Sequence, residues 1–287
     1  MHVGFVVNSH RPDALEAAAE AARLLLSRGM RVGAERGVAS VIDAPMLSND
    51  EIALCDLVVA FGGDGTLIRA AHVCSERGTP ILGVHYGRFG FVTQCRPEDL
   101  PDALAAFVAG QYELDRRMML QTELRRKEQV LATLHTLNES VLQRAVTDRM
   151  LTFEVEVDGK LLTAYPADGV MVSTPTGSTG YNLSAGGPVL DPSLQVMVVT
   201  AIAPHTLSAR PLVLSPESTV ILRLEAGGDT VLSGDAQTRL HLLGGEEVVV
   251  RRSARTTNLV TFHNSDFLSK LATRLLWSRE FGTDRDG

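Results

Sequence analysis

The sequence predicts an α/β domain followed by a β-rich domain. In the first third of the chain, apolar runs alternate with helical stretches, whereas from about Tyr112 to His263 short runs of alternating apolar and polar residues are separated by turn dipeptides. The length of 287 residues also exceeds what one core usually supports. We therefore expect an N-terminal domain of residues 1–111 joined by 264–287, and a C-terminal domain of residues 112–263.

The N-terminal domain is predicted to be a parallel sheet covered by helices, because its expected strands are separated by helices. The expected strands are Val3–Asn8, Leu57–Phe61 and Pro80–His85. The expected helices are Pro12–Arg28, Thr66–Arg77 and a segment near Pro97–Val108. Proline at the start of the first helix and Gly29 just after its end are the usual boundary residues.

The C-terminal domain is predicted from alternating runs that suit half-buried strands. These expected strands are Thr152–Val157, Gly169–Ser173, Val220–Glu225 and Glu247–Arg251. The tail from Ser265 to Trp277 reads as one amphipathic helix that packs back on the first domain. Its apolar positions are Phe267, Leu268, Leu271, Leu275 and Leu276.

Composition and charge exclude several classes of protein. The chain has a net charge of −7 with scattered basic residues, so we expect no nucleic-acid partner. The N-terminal apolar run is too short for a membrane span and has no basic residues before it, which predicts no membrane association and a cytoplasmic location. Cys55, Cys74 and Cys95 have no zinc-site spacing and are interpreted as small buried hydrophobic residues.

The segment GGDGT at residues 62–66 lies between a predicted strand and a predicted helix. Gly62, Gly63 and Gly65 allow positive φ and close approach of an anion to the main-chain amides. The loop lacks the lysine of a nucleotide-binding P-loop. Asp64 is either a local helix cap or a general base for an alcohol that attacks a phosphoryl group. Arg69, one turn later, either points to a phosphate or lies on the surface.

The segment TLNESVL at 136–142 contains adjacent amide and acidic side chains. Asn138 and Glu139 are either the polar face of a strand or a pair that binds the vicinal hydroxyls of a ribose. Arg149 follows shortly after and is a further candidate for an anionic group.

The segment from Ala167 to Asp191 contains a strand and then a loop rich in Ser, Thr and Gly. Such loops are usually linkers. In a nucleotide pocket, however, Tyr181 offers a flat face to a base, and Asp168 accepts a hydrogen bond from an amine or a ribose hydroxyl. Neither His205 nor Gln237 is informative by itself.

Taken together, these segments resemble bacterial NAD kinases. The resemblance rests on GGDGT at 62–66, NE at 138–139, DGVMVSTPTGSTGYNLSAGGP at 168–188, PHTLSARPLVL at 204–214 and SGDAQ at 233–237. It implies a Rossmann-like N-terminal domain, a β-rich C-terminal domain that binds NAD, and a homodimer or homotetramer. It also implies Mg²⁺-dependent transfer of the γ-phosphoryl group of ATP, or of polyphosphate, to the 2′-hydroxyl of the adenosine ribose of NAD.

The resemblance also implies roles for individual residues. Asp64 is the expected proton acceptor, and no residue is expected to be a metal ligand. The expected nucleotide-binding residues are Gly62, Gly63, Asp64, Gly65, Thr66, Arg69, Asn138, Glu139, Arg149, Asp168, Thr176, Thr179, Gly180, Tyr181, Asn182, Leu183, Ser184 and Gln237.

Three residues depart from the family pattern: Gly180 replaces the usual alanine, His85 an asparagine and Phe89 a leucine. These departures bear on donor or substrate preference. Two other functions are compatible with parts of the sequence. A lipid kinase shares GGDGT but gives no reason for the NE pair, and a dinucleotide sensor would bind NAD(H) or NADP(H) without consuming ATP.

Overall fold

A computed structural model describes residues 1–86, 90–92, 95–145, 150–225, 228–242, 244–262 and 267–274. The chain forms two compact units. The first comprises Met1–Leu67, Pro80–Asp115 and the described residues from Leu259 onwards, and the second comprises Ile68–Thr79 and Arg116–Asn258. The domain boundaries expected near residues 111 and 264 stay a prediction.

The first unit contains a parallel sheet, as predicted. Its strands are β1 (His2–Val7), β2 (Arg31–Ala34), β3 (Leu57–Gly62) and β4 (Ile81–His85), in the order β2-β1-β3-β4. Its helices are α1 (Pro12–Ser27), α2 (Asn49–Ala53) and α4 (Leu100–Val108), which follows a 3-10 turn at Pro97–Asp99. Helix α3 (Asp64–Cys74) begins directly after β3.

Buried apolar side chains hold this sheet and its helices together. Phe5 of β1 and Phe61 of β3 meet edge to face with ring centroids 4.9 Å apart. Helix α1 buries small residues and Leu25 on one face, so it can lie close to the sheet. It ends at Ser27, one residue before the predicted end at Arg28, and Gly29 follows with a φ of +75° that suits glycine.

The second unit is rich in β-strands, as predicted, and these strands pair antiparallel. They are β5 (Glu113–Arg126), β6 (Gln129–Thr136), β7 (Glu139–Arg144), β8 (Leu151–Val157), β9 (Lys160–Ala167), β10 (Gly169–Ser173), β11 (Met197–Ile202), β12 (Leu212–Leu214), β13 (Val220–Leu224), β14 (Thr230–Gly234), β15 (Thr238–Leu242) and β16 (Glu247–Thr261). One sheet has the order β12-β11-β10-β7-β14-β15. The core of the second unit includes the fully buried Phe153, Val172 and Leu232.

Several boundaries differ from the sequence prediction. Strand β2 and helix α2 were not predicted, because each is too short to show a clear period. Helix α3 begins at Asp64 rather than Thr66 and ends at Cys74 rather than Arg77.

The C-terminal tail forms a helix, as predicted, within the part that the structure describes. Helix α6 spans Phe267–Arg274, and Leu275 and Leu276 lie outside the described residues. Leu271 is buried, but Leu268 is 68% exposed, so the prediction that it belongs to the apolar face was wrong.

Candidate functional site

The glycine loop after β3 has one position that requires glycine. A Cβ on Gly62 would lie 2.3 Å from the hydroxyl oxygen of Thr66 and 2.9 Å from its Cβ. A Cβ on Gly63 or Gly65 would meet no atom within 4 Å, and neither residue has a positive φ. These two residues therefore do not use the positive φ that glycine allows. They instead leave open space at the start of α3.

Asp64 is the first residue of α3 and is half-buried. Its Oδ2 accepts a hydrogen bond from the amide of Phe91 at 2.9 Å, and its Oδ1 accepts one from Val92 at 3.3 Å. These partners lie 27 and 28 positions further along the chain. Both oxygens thus fix the carboxylate to a neighbouring segment, a wider role than the local cap considered from the sequence. Thr66 is buried, and Arg69 is half-buried on the same helix.

In the second unit, the ends of three adjacent strands bring the second group of predicted residues together. Strand β7 lies between β10 and β14, with Glu139 opposite Ser173 and Ser140 opposite Gly234. The NE pair at the start of β7 therefore lies beside the loop that follows β10. Thr174 of that loop donates its amide to the carbonyl of Asn138 at 2.8 Å.

The side chain of Glu139 is buried, and one of its two carboxyl oxygens has no hydrogen-bond partner among the described residues. Burial, and secondarily the charge of Asp235, raises the pKa of Glu139 to about 8. This shift favours the protonated carboxyl group, which can donate as well as accept a hydrogen bond.

Two buried oxygens at this place have no hydrogen-bond partner among the described residues. They are Oδ1 of Asn138 and Oε2 of Glu139. Buried polar atoms are nearly always paired in folded proteins, and an unpaired one calls for an explanation such as a ligand. Gly180 faces the same pair, since a Cβ on it would lie 3.7 Å from both Nδ2 of Asn138 and Oε2 of Glu139.

The Ser/Thr/Gly-rich run is a folded element rather than a linker. It contains a 3-10 turn at Gly177–Thr179 and the short helix α5 (Tyr181–Ser184). The ring of Tyr181 is 41% exposed, which leaves it accessible for stacking. Leu183 is half-buried, and Gly180 and Ser184 are exposed.

Asn182 maintains the shape of this run from inside. It is fully buried, and its Nδ2 donates to the carbonyls of Ser178 at 3.2 Å and Pro188 at 3.0 Å. Its Oδ1 accepts from Thr200 at 2.7 Å. Because these bonds occupy both ends of the amide, the side chain stabilises the loop instead of presenting itself at the surface.

Thr176 is also buried, and its hydroxyl accepts a hydrogen bond from the guanidinium of Arg117 at 3.2 Å. The half-buried Thr179 donates its hydroxyl to the carbonyl of Thr176 at 3.4 Å. Sequence reasoning missed Arg117, because a single arginine in a strand of charged residues gives no distinguishing signal.

Asp168 lies just before β10 and pairs with a cation. Its Oδ1 is 2.8 Å from the guanidinium of Arg144, and both side chains are partly exposed.

Gln237 is exposed in the turn between β14 and β15, where its main-chain amide donates to the carbonyl of Gly234 at 2.9 Å. Arg149 and Phe89 lie outside the described residues. His85 is buried at the end of β4.

Asp235 received no role from the sequence, although it belongs to the SGDAQ segment. Its carboxylate is fully buried and contacts His72 and the start of β7. An acidic residue in a predicted polar turn gives no signal that its side chain points inward. The same reason explains why His72, a histidine on a helix, was overlooked.

Family models match both parts of the chain. The model of the ATP-NAD kinase N-terminal domain matches residues 3–112, and that of the ATP-NAD kinase C-terminal domain matches residues 137–262. An NAD kinase of Moorella thermoacetica is 39% identical over 287 residues, covering 99% of this chain and 91% of the relative. An NAD kinase of Geotalea daltonii is 38% identical over 271 residues, covering 93% and 95%.

Two solved structures are similar to this fold. An NAD kinase of Archaeoglobus fulgidus in complex with ATP has a TM-score of 0.76 and 25% identity, covering 96% of this chain and 99% of that one. A yeast NADH kinase complexed with NADH has a TM-score of 0.90 at 24% identity, covering 100% and 90%, and this likeness concerns the fold alone.

The fold and the matched domains define the protein as a phosphotransferase built from an α/β domain and a β-rich domain. More specifically, the chain belongs to the ATP-NAD kinase family. Within the part of the chain that the structure describes, no helix has the length and apolar character needed to cross a membrane.

Proposed function

We propose that the chain transfers the γ-phosphoryl group of ATP to the 2′-hydroxyl of the adenosine ribose of NAD, giving NADP and ADP. Family membership supports the reaction. The proposed position of the dinucleotide is supported by two buried oxygens, on Asn138 and Glu139, that have no hydrogen-bond partner among the described residues. A ribose offers vicinal hydroxyl groups, which are suitable partners for one amide oxygen and one protonated carboxyl group.

The remaining contacts with the substrates are proposed from residues of both units. The exposed ring of Tyr181 suits stacking on a base, and Asp168 can accept from an exocyclic amine or a hydroxyl. The other residues of the proposed site share only their place in the predicted motifs. They are Gly62, Gly63, Gly65, Thr66, Arg69, Arg149, Thr176, Thr179, Gly180, Asn182, Leu183, Ser184 and Gln237.

Asp64 is the proposed general base. In the reaction, the 2′-oxygen forms a bond to the γ-phosphorus, the bond from that phosphorus to the bridging oxygen breaks, and the hydroxyl proton passes to the carboxylate. Its hydrogen bonds with the amides of Phe91 and Val92 hold the carboxylate in one orientation. A fixed acceptor costs less reorganisation during proton transfer than a mobile one.

A divalent cation is expected to accompany the nucleotide. Among the described residues, no group of three or more His, Cys, Asp or Glu side chains gathers where a cation could bind. No step is assigned to a cation held by the protein. Mg²⁺ often binds through substrate phosphates and only one or two carboxylates, so binding of Mg²⁺ with the nucleotide does not require such a cluster.

The test is Asp64→Asn, assayed for NADP formation from NAD, ATP and Mg²⁺. We expect kcat to fall by roughly a hundredfold or more, because a positioned base contributes about that factor. The control is Asp56→Asn, which neutralises another aspartate that accepts a main-chain hydrogen bond, from His2 at 2.7 Å. It should retain wild-type turnover. Near-normal turnover in Asp64→Asn would remove Asp64 from the mechanism.

A donor and acceptor panel tests the substrate assignment. ATP and polyphosphate are offered with NAD, and ATP is offered with NAD, NADH or lipid vesicles. A lipid kinase would phosphorylate the vesicles, and a sensor would bind NAD without consuming ATP. We further propose a homodimer or homotetramer in the cytoplasm, and sedimentation of the purified chain tests the assembly.

A further inference from the structure

The carboxylate of Asp235 accepts four hydrogen bonds in the interior of the second unit. Its Oδ2 accepts from the amide of Leu137 at 2.7 Å, and its Oδ1 accepts from the amides of Asn138 and Glu139 at 2.9 and 3.0 Å. His72 completes the set, with Nε2 2.7 Å from Oδ2. Because a carboxylate can only accept, His72 is the donor in this contact. None of the Asp235 side chain is exposed.

The turn that carries Asp235 has an uncommon backbone. Asp235 and Ala236 have φ values of +49° and +56°, and the amide of Gln237 donates to the carbonyl of Gly234 at 2.9 Å. This is the mirror-image hairpin turn, which normally selects Asn and Gly. Alanine in this conformation is strained, and such strain is retained where the surrounding structure depends on it. The turn directs the Asp235 carboxylate inward to the start of β7.

The carbonyl groups of the same segment are held from the opposite side. Thr174 donates its hydroxyl to the carbonyl of Leu137 at 2.6 Å and its amide to the carbonyl of Asn138 at 2.8 Å. Residues 137–139 are thus fixed through their donors by Asp235 and through carbonyls by Thr174. The amide of Asp235 donates to the carbonyl of Glu139 at 3.1 Å, so each amide and carbonyl of residues 137–139 is hydrogen-bonded. Oδ1 of Asn138 and Oε2 of Glu139, in contrast, have no hydrogen-bond partner among the described residues.

We infer that Asp235 is a positioning residue for the dinucleotide and that His72 holds its carboxylate in place. The inference rests on the proposed assignment of Asn138 and Glu139 to the ribose of NAD. Asp235 fixes the main chain of these two residues, so their side chains are presented to the ribose before it binds. Pre-organisation of this kind reduces the entropy lost on binding.

The experiment compares His72→Ala, His72→Gln and Asp235→Asn in the full chain. For His72→Ala we expect KM for NAD to rise by about tenfold, the loss typical of one charge-assisted hydrogen bond, with KM for ATP nearly unchanged. His72→Gln retains a donor for Oδ2 and should restore most of the NAD affinity. Asp235→Asn should be more severe, because its amide group would face main-chain donors.

Amide hydrogen exchange provides a readout that does not depend on catalysis. In His72→Ala, the amides of Leu137, Asn138 and Glu139 should lose protection while other amides of β7 keep it. If Asp235→Asn does not fold, His72→Ala decides the question. If the wild-type chain fails to make NADP, the proposed function fails, but exchange still shows whether the carboxylate holds residues 137–139.

The control is Asn258→Ala, which removes a side-chain hydrogen bond to the carbonyl of Gly78 at 2.7 Å elsewhere in the second unit. It should lower the melting temperature without changing KM for NAD or the exchange of residues 137–139. Equal rises of KM for NAD in Asn258→Ala and His72→Ala would show a general loosening and overturn the inference. Unchanged exchange at these three amides in His72→Ala would overturn it as well.

Discussion

Gly177 packs its backbone directly against the backbone of Asn138. A Cβ on Gly177 would lie 2.3 Å from the carbonyl oxygen of Asn138 and 2.7 Å from its Cα. Both atoms belong to the main chain and cannot rotate away as a flexible side chain can. Glycine at this position is therefore required by close approach, and the contact joins the Ser/Thr/Gly-rich run to the NE pair.

Gly177→Ala is predicted to disturb both stability and dinucleotide binding. The added methyl group must displace either the 3-10 turn or the main chain of Asn138, which should cost about 3 kcal/mol of unfolding free energy. Urea denaturation measures this loss, and titration with NAD measures the accompanying fall in affinity. Wild-type stability and affinity would show that the two segments do not pack as described.

Gly180→Ala serves as the matched comparison within the same run. A Cβ on Gly180 would lie 3.3 Å from the carbonyl oxygen of Gly177 and at ordinary contact distance from Asn138 and Glu139. The neighbours need to move by only a few tenths of an ångström, so we expect a loss of no more than about 1 kcal/mol. NADP formation should stay close to the wild-type rate. A severe loss of activity would mean that Gly180 itself is essential in this chain.

The spacing of apolar residues and the position of turn residues were sufficient to predict the main features of the fold. Strand β10 has the predicted bounds, because VMVS is a continuous apolar run limited by polar residues. Sequence reasoning offered the NE pair as a ribose contact but did not predict the raised pKa of Glu139, since burial arises only when β7 is enclosed. Asp235 and His72 meet although 163 positions separate them, and no local pattern encodes such a contact.

Ala236→Gly is predicted to stabilise the protein. Ala236 has a φ of +56°, a conformation that costs a residue with a Cβ about 1 kcal/mol relative to glycine. The substitution should therefore raise the unfolding free energy by nearly that amount and leave the Asp235 carboxylate in place. Urea denaturation provides the measurement.

The control for this prediction is Ala164→Gly on the exposed face of β9, away from any positive φ. There the same change should lower stability by roughly 0.5–1 kcal/mol, because glycine weakens a strand. If both substitutions destabilise the chain, the strain assigned to the turn at Ala236 does not exist.

The pKa of Glu139 predicts how stability depends on pH. Burial and the neighbouring charge of Asp235 raise it from 4.5 to about 8 in the folded chain. The protonated form is therefore favoured by folding, so this contribution is fully present below pH 4.5 and is lost as the pH rises through about 8. Its full size is on the order of 5 kcal/mol, an upper value because the two acidic groups interact.

Glu139→Gln tests this dependence, since the amide has a similar shape and does not titrate. Its unfolding free energy, measured relative to wild type by urea denaturation, should increase between about pH 5 and pH 8 and then level off. Thr122→Val is the control, because it changes another buried polar side chain of the same unit that does not titrate. Its difference from wild type should stay constant over this range. A constant difference between Glu139→Gln and wild type over this range would show that Glu139 is already ionised in the folded protein at pH 5.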